Sequence, residues 1–373
     1  MQNRQEEKVG KGATPAPESK RSGAGGKGQE NREDHFSIQI PQISLPKGGG
    51  AIKGIDEKFE VNAANGTASL SLPLPFSPGR NGFMPPISLG YNSGAGNGLF
   101  GLGWDLGYPS IQRKTDKKLP RYKDDEDSDT FMFSGVEDLV PFLKPEGGPL
   151  PQNIRWTRDE RVEEGFTIRR YRPRLEGAFS RIERISHLNY GVWWKVTTRE
   201  NVVTFYGKNP EFRIADPEEP SHIFQWLPEL SFDDKGNCVL YEFKLEDGAG
   251  YGDDLFDANR FHPDDSPRFT NRYLKRVYYC PRTPFLPYRT FREQNRQIPA
   301  GAIYYTTNPV AENGFLMELV LDYGEHGDLP DTGQGTVSVR HTLDSNAPAW
   351  RARHDAFSSY RSGFDVRTAR LCR

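Results

Sequence analysis

Thr67-Ala68-Ser69-Leu70-Ser71-Leu72 alternates polar and apolar residues with a period of two. Successive side chains of a β-strand point to opposite faces of its sheet, so this alternation predicts a strand with one buried face. Pro73 and Pro75 follow at once, and because proline has no N–H for a ladder hydrogen bond, they end the strand or place it at a sheet edge.

Segments of the same kind recur outward from this stretch at irregular spacing. A second strand is expected at 87–91, after a turn at 79–82, and further strands are predicted at 130–133, 166–168, 191–197, 202–206, 238–243, 273–279, 319–323 and 337–339. No amphipathic helical pattern longer than about three turns is present. The sequence therefore predicts an all-β fold.

Composition agrees with this prediction and narrows the function classes. Aromatic residues make up 12% of the 373 residues, and 38 glycines and 29 prolines supply turns, which favours many short strands. The net charge of −2 predicts no affinity for nucleic acid. No apolar run approaches the ~18 residues of a spanning helix, so direct membrane insertion is not expected. The three cysteines, Cys238, Cys280 and Cys372, are too few and scattered for a disulfide scaffold.

The N-terminal segment differs from the rest of the chain. Residues 1–36 are rich in Gly, Lys, Glu and Gln and nearly free of large apolar side chains, so we predict a disordered polar tail. Residues 37–373 are predicted to form one β-rich domain. The first residues, MQNRQEEKVGKG, lack the apolar stretch of a secretory signal.

Two glycine-rich segments resemble phosphate loops only superficially. Gly96-Asn97-Gly98-Leu99-Phe100-Gly101 fits G-x-G-x-x-G, but the residues that follow it, 102–109, do not predict the helix that a dinucleotide site needs. Tight turns around a buried Trp104 are expected instead. The segment 47–54 lacks the Walker spacing and is interpreted as a lead-in to the first strand. No cofactor is predicted.

Catalytic and metal motifs are equally weak. Asp125, Asp127 and Asp129 have the first spacings of a calcium loop, but Thr130 and Val136 stand where glycine and a bidentate carboxylate are needed, so a solvated acidic loop is expected. The seven histidines are scattered, and neither G-x-S-x-G, H-E-x-x-H nor Glu-x-Glu occurs in the sequence. We predict no catalytic residues, no cofactor-binding residues and no metal site.

Two further segments are distinctive in shape. Phe232-Asp233-Asp234-Lys235-Gly236-Asn237 predicts a turn in which Gly236 or Asn237 takes positive φ, followed immediately by a strand. The segment 171–182 mixes arginines with aromatic residues. It predicts a polar seam between sheets, with arginines stacked on Tyr or Phe, and nucleic-acid binding is a weaker alternative because acidic residues interrupt it.

Several of these stretches resemble the SpvB N-terminal domain family. The resemblance rests on 43–54, Asn65-Gly66-Thr67-Ala68, 89–98, Gly101-Leu102-Gly103-Trp104, 171–184 and the ending 359–368, and 232–237 is similar to the YD/RHS turn. In that family the domain either opens the B component of Tc insecticidal toxins or precedes an actin-modifying ADP-ribosyltransferase. The resemblance implies a curved, shell-like sheet assembly that starts a TcB-type shell and stops before the propeller.

The resemblance also implies a function and partners. We expect a non-catalytic scaffold module that helps to form the β-shell enclosing and delivering a toxic enzyme. The expected partners are the RHS-type shell, propeller and pore-forming components of a toxin complex. Because the transferase's Glu-x-Glu pair is missing, no enzyme is expected. The protein is expected to be made in the bacterial cytoplasm and secreted without a recognisable signal peptide. The alternative is a module that binds a host surface or a secretion partner.

Overall fold

Antiparallel pairing dominates the part of the chain that the structure describes. The structure is a computed structural model, and it describes residues 58–62, 66–146, 154–177, 179–251, 260–261, 268–288, 294, 308–309, 314–325, 350 and 352–372. The predicted tail at 1–36, the segment 47–54 and the predicted strand at 337–339 lie outside these residues. The division of the chain at 36/37 remains a prediction.

The strands of the described residues are short, and every pair that they form is antiparallel. In chain order they are β1 (Lys58–Asn62), β2 (Thr67–Pro73), β3 (Ser88–Asn92), β4 (Asn97–Gly98), β5 (Gly101–Leu102), β6 (Trp104–Gly107), β7 (Ile111–Arg113), β8 (Phe131–Phe133), β9 (Glu137–Pro141), β10 (Leu143–Glu146), β11 (Arg155–Arg158), β12 (Glu160–Glu163), β13 (Phe166–Pro173), β14 (Arg181–His187), β15 (Gly191–Thr197), β16 (Val203–Tyr206), β17 (Arg213–Ala215), β18 (Ile223–Trp226), β19 (Pro228–Phe232), β20 (Cys238–Leu245), β21 (Arg272–Pro281), β22 (Phe315–Val320), β23 (Ala352–Ser359) and β24 (Val366–Arg370). Two single-turn 3-10 helices, Arg80–Gly82 and Pro210–Phe212, lie between strands. The all-β prediction is confirmed.

The alternating stretch 67–72 lies in a four-stranded sheet with the order β1-β2-β3-β6. The predicted strand is β2, and Pro73 is its last residue, as the proline predicts. Thr67–Leu72 are all partly buried, so the predicted contrast between a buried and an exposed face is not seen. β3 pairs with β2 along Ser88–Asn92, which confirms the second predicted strand to within one residue.

Most other strands belong to one curled sheet of 14 strands. Its order is β17-β18-β7-β8-β9-β13-β14-β15-β16-β19-β20-β21-β22, and β12 pairs with β13 beside this path. The long β13 pairs with β12 through its first half and with β9 through its last residues, while β14 occupies its other side. Three two-stranded ribbons, β4-β5, β10-β11 and β23-β24, complete the pairing of the described residues.

The centre of this sheet is buried on both faces. In β20, Val239 and Tyr241 belong to one core cluster, whereas their neighbours Cys238 and Leu240 belong to another. Because successive side chains of a strand point to opposite faces, consecutive residues of β20 contribute to the two cores in turn. Strands covered on both sides have continuous apolar and aromatic runs, and this explains why Trp193 and Trp194 are adjacent in β15 yet both fully buried.

Two predicted features differ from the structure. The strand expected at 319–323 is β22, Phe315–Val320, and the chain leaves the ladder after it. Tyr323 turns into the core instead, where its hydroxyl donates to the Leu274 carbonyl at 2.8 Å. Trp104 is only half-buried, because it packs at the surface against Tyr91, with ring centroids 5.0 Å apart.

Candidate functional site

The glycine string at 96–101 forms a tight ribbon, β4-β5, and is followed by the strand β6 rather than by a helix. A Cβ atom on Gly98 would lie 2.0 Å from the Trp104 carbonyl oxygen, so the close approach requires glycine. The ribbon receives the C-terminal hairpin β23-β24: Arg353 donates to the Gly98 carbonyl at 2.8 Å, and the Cys372 N–H donates to the Leu99 carbonyl at 2.9 Å. Its role in the described structure is therefore docking of the C-terminus.

A buried arginine lies at the same end of this hairpin, where Arg370 is opposite Ala352 in the register of β23 and β24, and we call its surroundings the Arg370 centre. Arg370 is fully buried and faces the carboxylate of Glu246, which is also fully buried. Its Nε donates to Glu246 Oε2 at 2.9 Å, and its Nη2 donates to Glu246 Oε1. Its Nη1 donates to the carbonyls of Ala249 at 2.7 Å and Trp350 at 3.1 Å. The guanidinium is satisfied on both sides, as a buried charge must be.

Aromatic rings enclose the Arg370 centre. The guanidinium lies 4.2 Å from the centroid of the Trp350 ring. The Tyr273 hydroxyl donates to Glu246 at 3.1 Å and accepts the N–H of Ala369 at 2.9 Å. Burial first, and then the charge of Glu246, raises the pKa of Tyr273 well above its usual value. The tyrosine is therefore a neutral hydrogen-bond donor that joins β21 to β24.

A second buried arginine organises the loop before β8, and we call it the Arg113 centre. Arg113 donates to the Ile223 carbonyl at 2.7 Å, to Asp124 at 2.7 and 3.0 Å, and to Asp129 at 2.9 Å. Arg184 donates to the same Asp124 carboxylate at 2.5 Å. Burial alone would raise the pKa of Asp124, but the hydrogen bonds and charges of the two arginines outweigh it and lower that pKa.

The Arg113 centre corrects the prediction of a solvated acidic loop. Asp125 and Asp127 are exposed, and Asp127 pairs with Arg158 at 2.6 Å. Asp129, however, has only 2% of its side chain exposed, because it accepts from Arg113 and from the backbone N–H groups of Arg121 and Tyr122. The acidic loop thus anchors an arginine. Among the described residues, no group of three or more His, Cys, Asp or Glu side chains is placed to hold a metal ion.

Cross-strand ion pairs extend over β12, β14 and β15. Glu183 is buried and accepts from Arg161 and Arg181, each at 2.8 Å, and lies opposite Lys195 in the β14-β15 register. Burial raises the pKa of Glu183, but the three cations outweigh it and lower the pKa overall. Burial lowers the pKa of Lys195 to about 8, against the opposing attraction of Glu183. A local excess of positive charge keeps the carboxylate ionised.

The predicted turn at 232–237 is confirmed, and an aspartate shapes it. Asp233 Oδ1 accepts the N–H groups of Lys235 at 2.9 Å and Asn237 at 2.8 Å, while Oδ2 accepts the Asn237 amide at 2.7 Å. Gly236 has φ +92°, and a Cβ there would lie 2.6 Å from Cβ of Pro284. Both the backbone angle and the packing therefore require glycine.

The segment 171–182 does not form the predicted seam. Tyr171 is buried against Trp194, with ring centroids 5.1 Å apart, whereas Arg172 and Arg174 are exposed. The arginine stacking occurs just outside the segment, where Arg170 lies 4.0 Å from the Phe142 ring centroid. The sequence correctly indicated that an arginine stacks on an aromatic ring in this part of the chain. The residue that does so is Arg170, one position before the predicted segment.

A pocket of about 170 Å³ opens where the C-terminal hairpin meets β17 and β21. Three arginines and three carboxylates line it together with polar and aromatic residues: Asp216, Glu218, Arg260, Arg268, Asp365 and Arg367 carry the charges. Sequence reasoning missed this pocket and both arginine centres. The strands that hold the two arginines, Ile111–Arg113 and Val366–Arg370, mix polar and apolar residues and carry no pattern that marks a buried charge.

The three cysteines are buried thiols without disulfide partners. Burial raises the pKa of Cys238 to about 12, so this thiol stays protonated and unreactive at neutral pH. Among the described residues, no helix has the length and apolar character needed to span a membrane.

Comparisons with known proteins place the chain among toxin-associated modules. A family model described as Salmonella virulence plasmid 65kDa B protein matches residues 62–373. The mono(ADP-ribosyl)transferase SpvB of Salmonella choleraesuis is 34% identical over 335 residues, which cover 90% of this chain and 50% of that protein. The chain thus spans about half the length of the curated relatives that it matches.

Two solved structures are similar to the chain in fold and sequence. The N-terminal domain of the effector protein SpvB from Salmonella typhimurium strain LT2 matches with a TM-score of 0.63 and 32% identity, over 81% of this chain and 85% of that one. The Tc holotoxin pore of Photorhabdus luminescens matches with a TM-score of 0.64 and 33% identity, over 91% of this chain and 14% of that one.

These relatives confirm the resemblance and correct one prediction. The prediction that the protein is not an enzyme is contradicted, because the relatives are named mono(ADP-ribosyl)transferases, and that name suggests an enzymatic role. The family model covers most of the chain, and the SpvB relative is more than 30% identical to it over 90% of its length. The chain therefore belongs to the SpvB family, that of the Salmonella virulence plasmid 65kDa B protein.

Proposed function

We propose that the chain is a scaffold module that assembles with other toxin subunits into a β-walled enclosure for a toxic enzyme. The observation that carries this proposal is the 14-stranded antiparallel sheet with core on both faces. A curled sheet that is packed on both faces suits a wall. The similarity to a Tc holotoxin pore over 91% of the chain supports the same role.

The sheet also offers a place for assembly. Among the described residues, β22 is the last strand of the 14-stranded sheet and pairs with β21. Leu316 in this strand has half of its surface exposed. Exposed edges pair readily with further strands, so β22 is the expected position for a neighbouring strand of the enclosure.

Light scattering of the isolated chain tests the proposal. We expect concentration-dependent association that Leu316→Lys reduces, since a charge on an edge strand opposes edge-to-edge pairing. Leu188→Lys is the matched control, because Leu188 is 97% exposed but lies in the turn between β14 and β15. A chain that stays monomeric at high concentration, or a control that acts as strongly as Leu316→Lys, would count against the proposal.

The partners and location extend the proposal. Subunits of a toxin complex are the expected partners, with an RHS-type shell, a propeller and a pore-forming component as the specific ones. Secretion from the producing bacterium is expected, since the solved relatives are an effector protein and a holotoxin. Co-purification with such subunits after co-expression would support the assignment.

An enzymatic role is the second candidate, and the name of the curated relatives favours it. Under this second candidate function, the module belongs to a mono(ADP-ribosyl)transferase and supports its transferase part. Incubation with labelled NAD and actin tests it, with transfer of label as the expected result. An absence of labelling by the protein in its full natural length would reject this candidate and leave the assembly experiment unaffected.

A further inference from the structure

The pocket beside the C-terminal hairpin is built from three separate parts of the chain. Asp216 and Glu218 follow β17, Arg268 and Asn271 precede β21, and Tyr360 lies in the turn of the hairpin. Polar contacts join these parts. Arg268 pairs with Glu218 at 3.1 Å, and the Asn271 amide donates to the Arg367 carbonyl at 2.8 Å. The walls are therefore held together before any ligand enters, as is usual for binding sites.

The charges of the pocket balance. Its three arginines face three carboxylates, and two opposite pairs are in contact: Arg268 with Glu218, and Arg260 with Asp365 at 3.3 Å. A balanced site gives neither an anion nor a cation a net electrostatic advantage. A carboxylate offers about four acceptor positions and a guanidinium five donors, so each pair presents both kinds of hydrogen-bonding group. The site favours a neutral ligand that both donates and accepts hydrogen bonds.

The size and the aromatic residues restrict the ligand further. A volume of about 170 Å³ corresponds to roughly six water molecules, which suits a single ring and not a dinucleotide. Tyr360 is 56% exposed and lines the pocket, and Phe269 and Phe364 contribute further apolar surface. An aromatic face next to paired polar groups matches a ring with one apolar face and hydroxyl groups around its rim.

From these features we propose that the pocket binds one ring of a neutral carbohydrate, with its hydroxyls on the arginine–carboxylate pairs and its C–H face on Tyr360. This binding site goes beyond the assembly role and does not depend on it. It would let the module contact a glycan while the sheet edge β22 is engaged elsewhere.

Saturation-transfer NMR on the whole chain tests the proposal. The probes are the methyl glycosides of glucose, galactose, mannose and N-acetylglucosamine, with anionic N-acetylneuraminate and cationic Nα-acetylarginine methylamide as charged competitors. We expect transfer to at least one neutral glycoside, a reduction of at least about fivefold in Tyr360→Ala, and no reduction in Tyr190→Ala. Tyr190 is the matched control because it is a tyrosine with half of its surface exposed in another turn.

A second variant separates loss of the pocket from loss of the fold. Glu218→Gln changes an exposed side chain, removes one charge and should weaken transfer to the neutral glycoside while leaving the unfolding temperature unchanged. The proposal is overturned if no neutral glycoside receives saturation, if transfer is unchanged in Tyr360→Ala and Glu218→Gln, or if either charged probe binds more strongly than the glycosides. Light scattering of Leu316→Lys is independent of all these outcomes.

Discussion

The Arg370 and Arg113 centres use the same chemistry over very different lengths of chain. Each buries an arginine, 0% and 1% exposed, among aromatic rings and carboxylates. Arg370 reaches Glu246 across 124 residues, whereas Arg113 reaches Asp124 across 11. The Arg370 centre therefore ties the C-terminal hairpin to the sheet, whereas the Arg113 centre holds its own loop against Ile223 and Arg184 of the sheet.

The two centres also differ in redundancy. Glu246 is fully buried, and Arg370 is the cation paired with it. Asp124 has 27% of its side chain exposed and is shared between Arg113 and Arg184. Loss of one arginine should therefore leave a buried, uncompensated charge in the first centre but not in the second. Burial and the number of partners, more than the count of hydrogen bonds, should decide stability.

The largest effect is expected from Arg370→Met. This change leaves Glu246 buried without its counter-ion and should lower the free energy of unfolding by about 3–5 kcal/mol. Urea denaturation followed by tryptophan fluorescence measures it. Arg361→Met, an exposed arginine in the turn of the same hairpin, is the control and should change stability by less than about 0.5 kcal/mol. Equal losses in the two variants would remove the special role of the Arg370 centre.

A smaller effect is expected from Arg113→Met. Asp124 keeps Arg184, and Asp129 keeps its backbone donors, so the loss should be about 1.5–3 kcal/mol, the value of hydrogen bonds to charged groups. Lys123→Met is the control, since Lys123 forms only an exposed pair with Glu126 in the same loop. If Arg113→Met costs as much as Arg370→Met, redundancy does not distinguish the centres.

The smallest expected effect is the pH dependence of the stability that Asp124 contributes. The pKa of Asp124 is lowered in the folded protein, so its contribution is fully present above the usual aspartate pKa of about 3.9 and is lost as the pH falls through the lower folded value. The stability difference between the wild type and Asp124→Asn should narrow, by on the order of 1 kcal/mol, when unfolding is measured at pH 3 instead of pH 7. Asp125→Asn, exposed in the same loop, should show no such narrowing. A difference that widens in acid would contradict this assignment.

The strands that the sequence predicted correctly have a local signal. Gly191–Thr197 is a strand over its whole predicted length, and the turn at 232–237 has positive φ at Gly236. Both depend on neighbouring residues: alternation fixes the faces of a strand, and glycine permits a left-handed turn. Other strands gave no such alternation and were missed, among them β10 to β12, which are rich in charged and exposed residues. The missed strands also include β14, β17, β18, β19, β23 and β24.

The sequence by itself determined that this chain folds as short antiparallel strands, because the period-two pattern, the aromatic residues and the turn glycines act over a few residues. Its motifs also identified the family. Only the tertiary structure decided which strands are covered on both faces, that Glu246 meets Arg370, and that three distant segments enclose a charge-balanced pocket. Such contacts form between residues far apart in sequence when long loops close, and no local sequence pattern predicts which residues will meet.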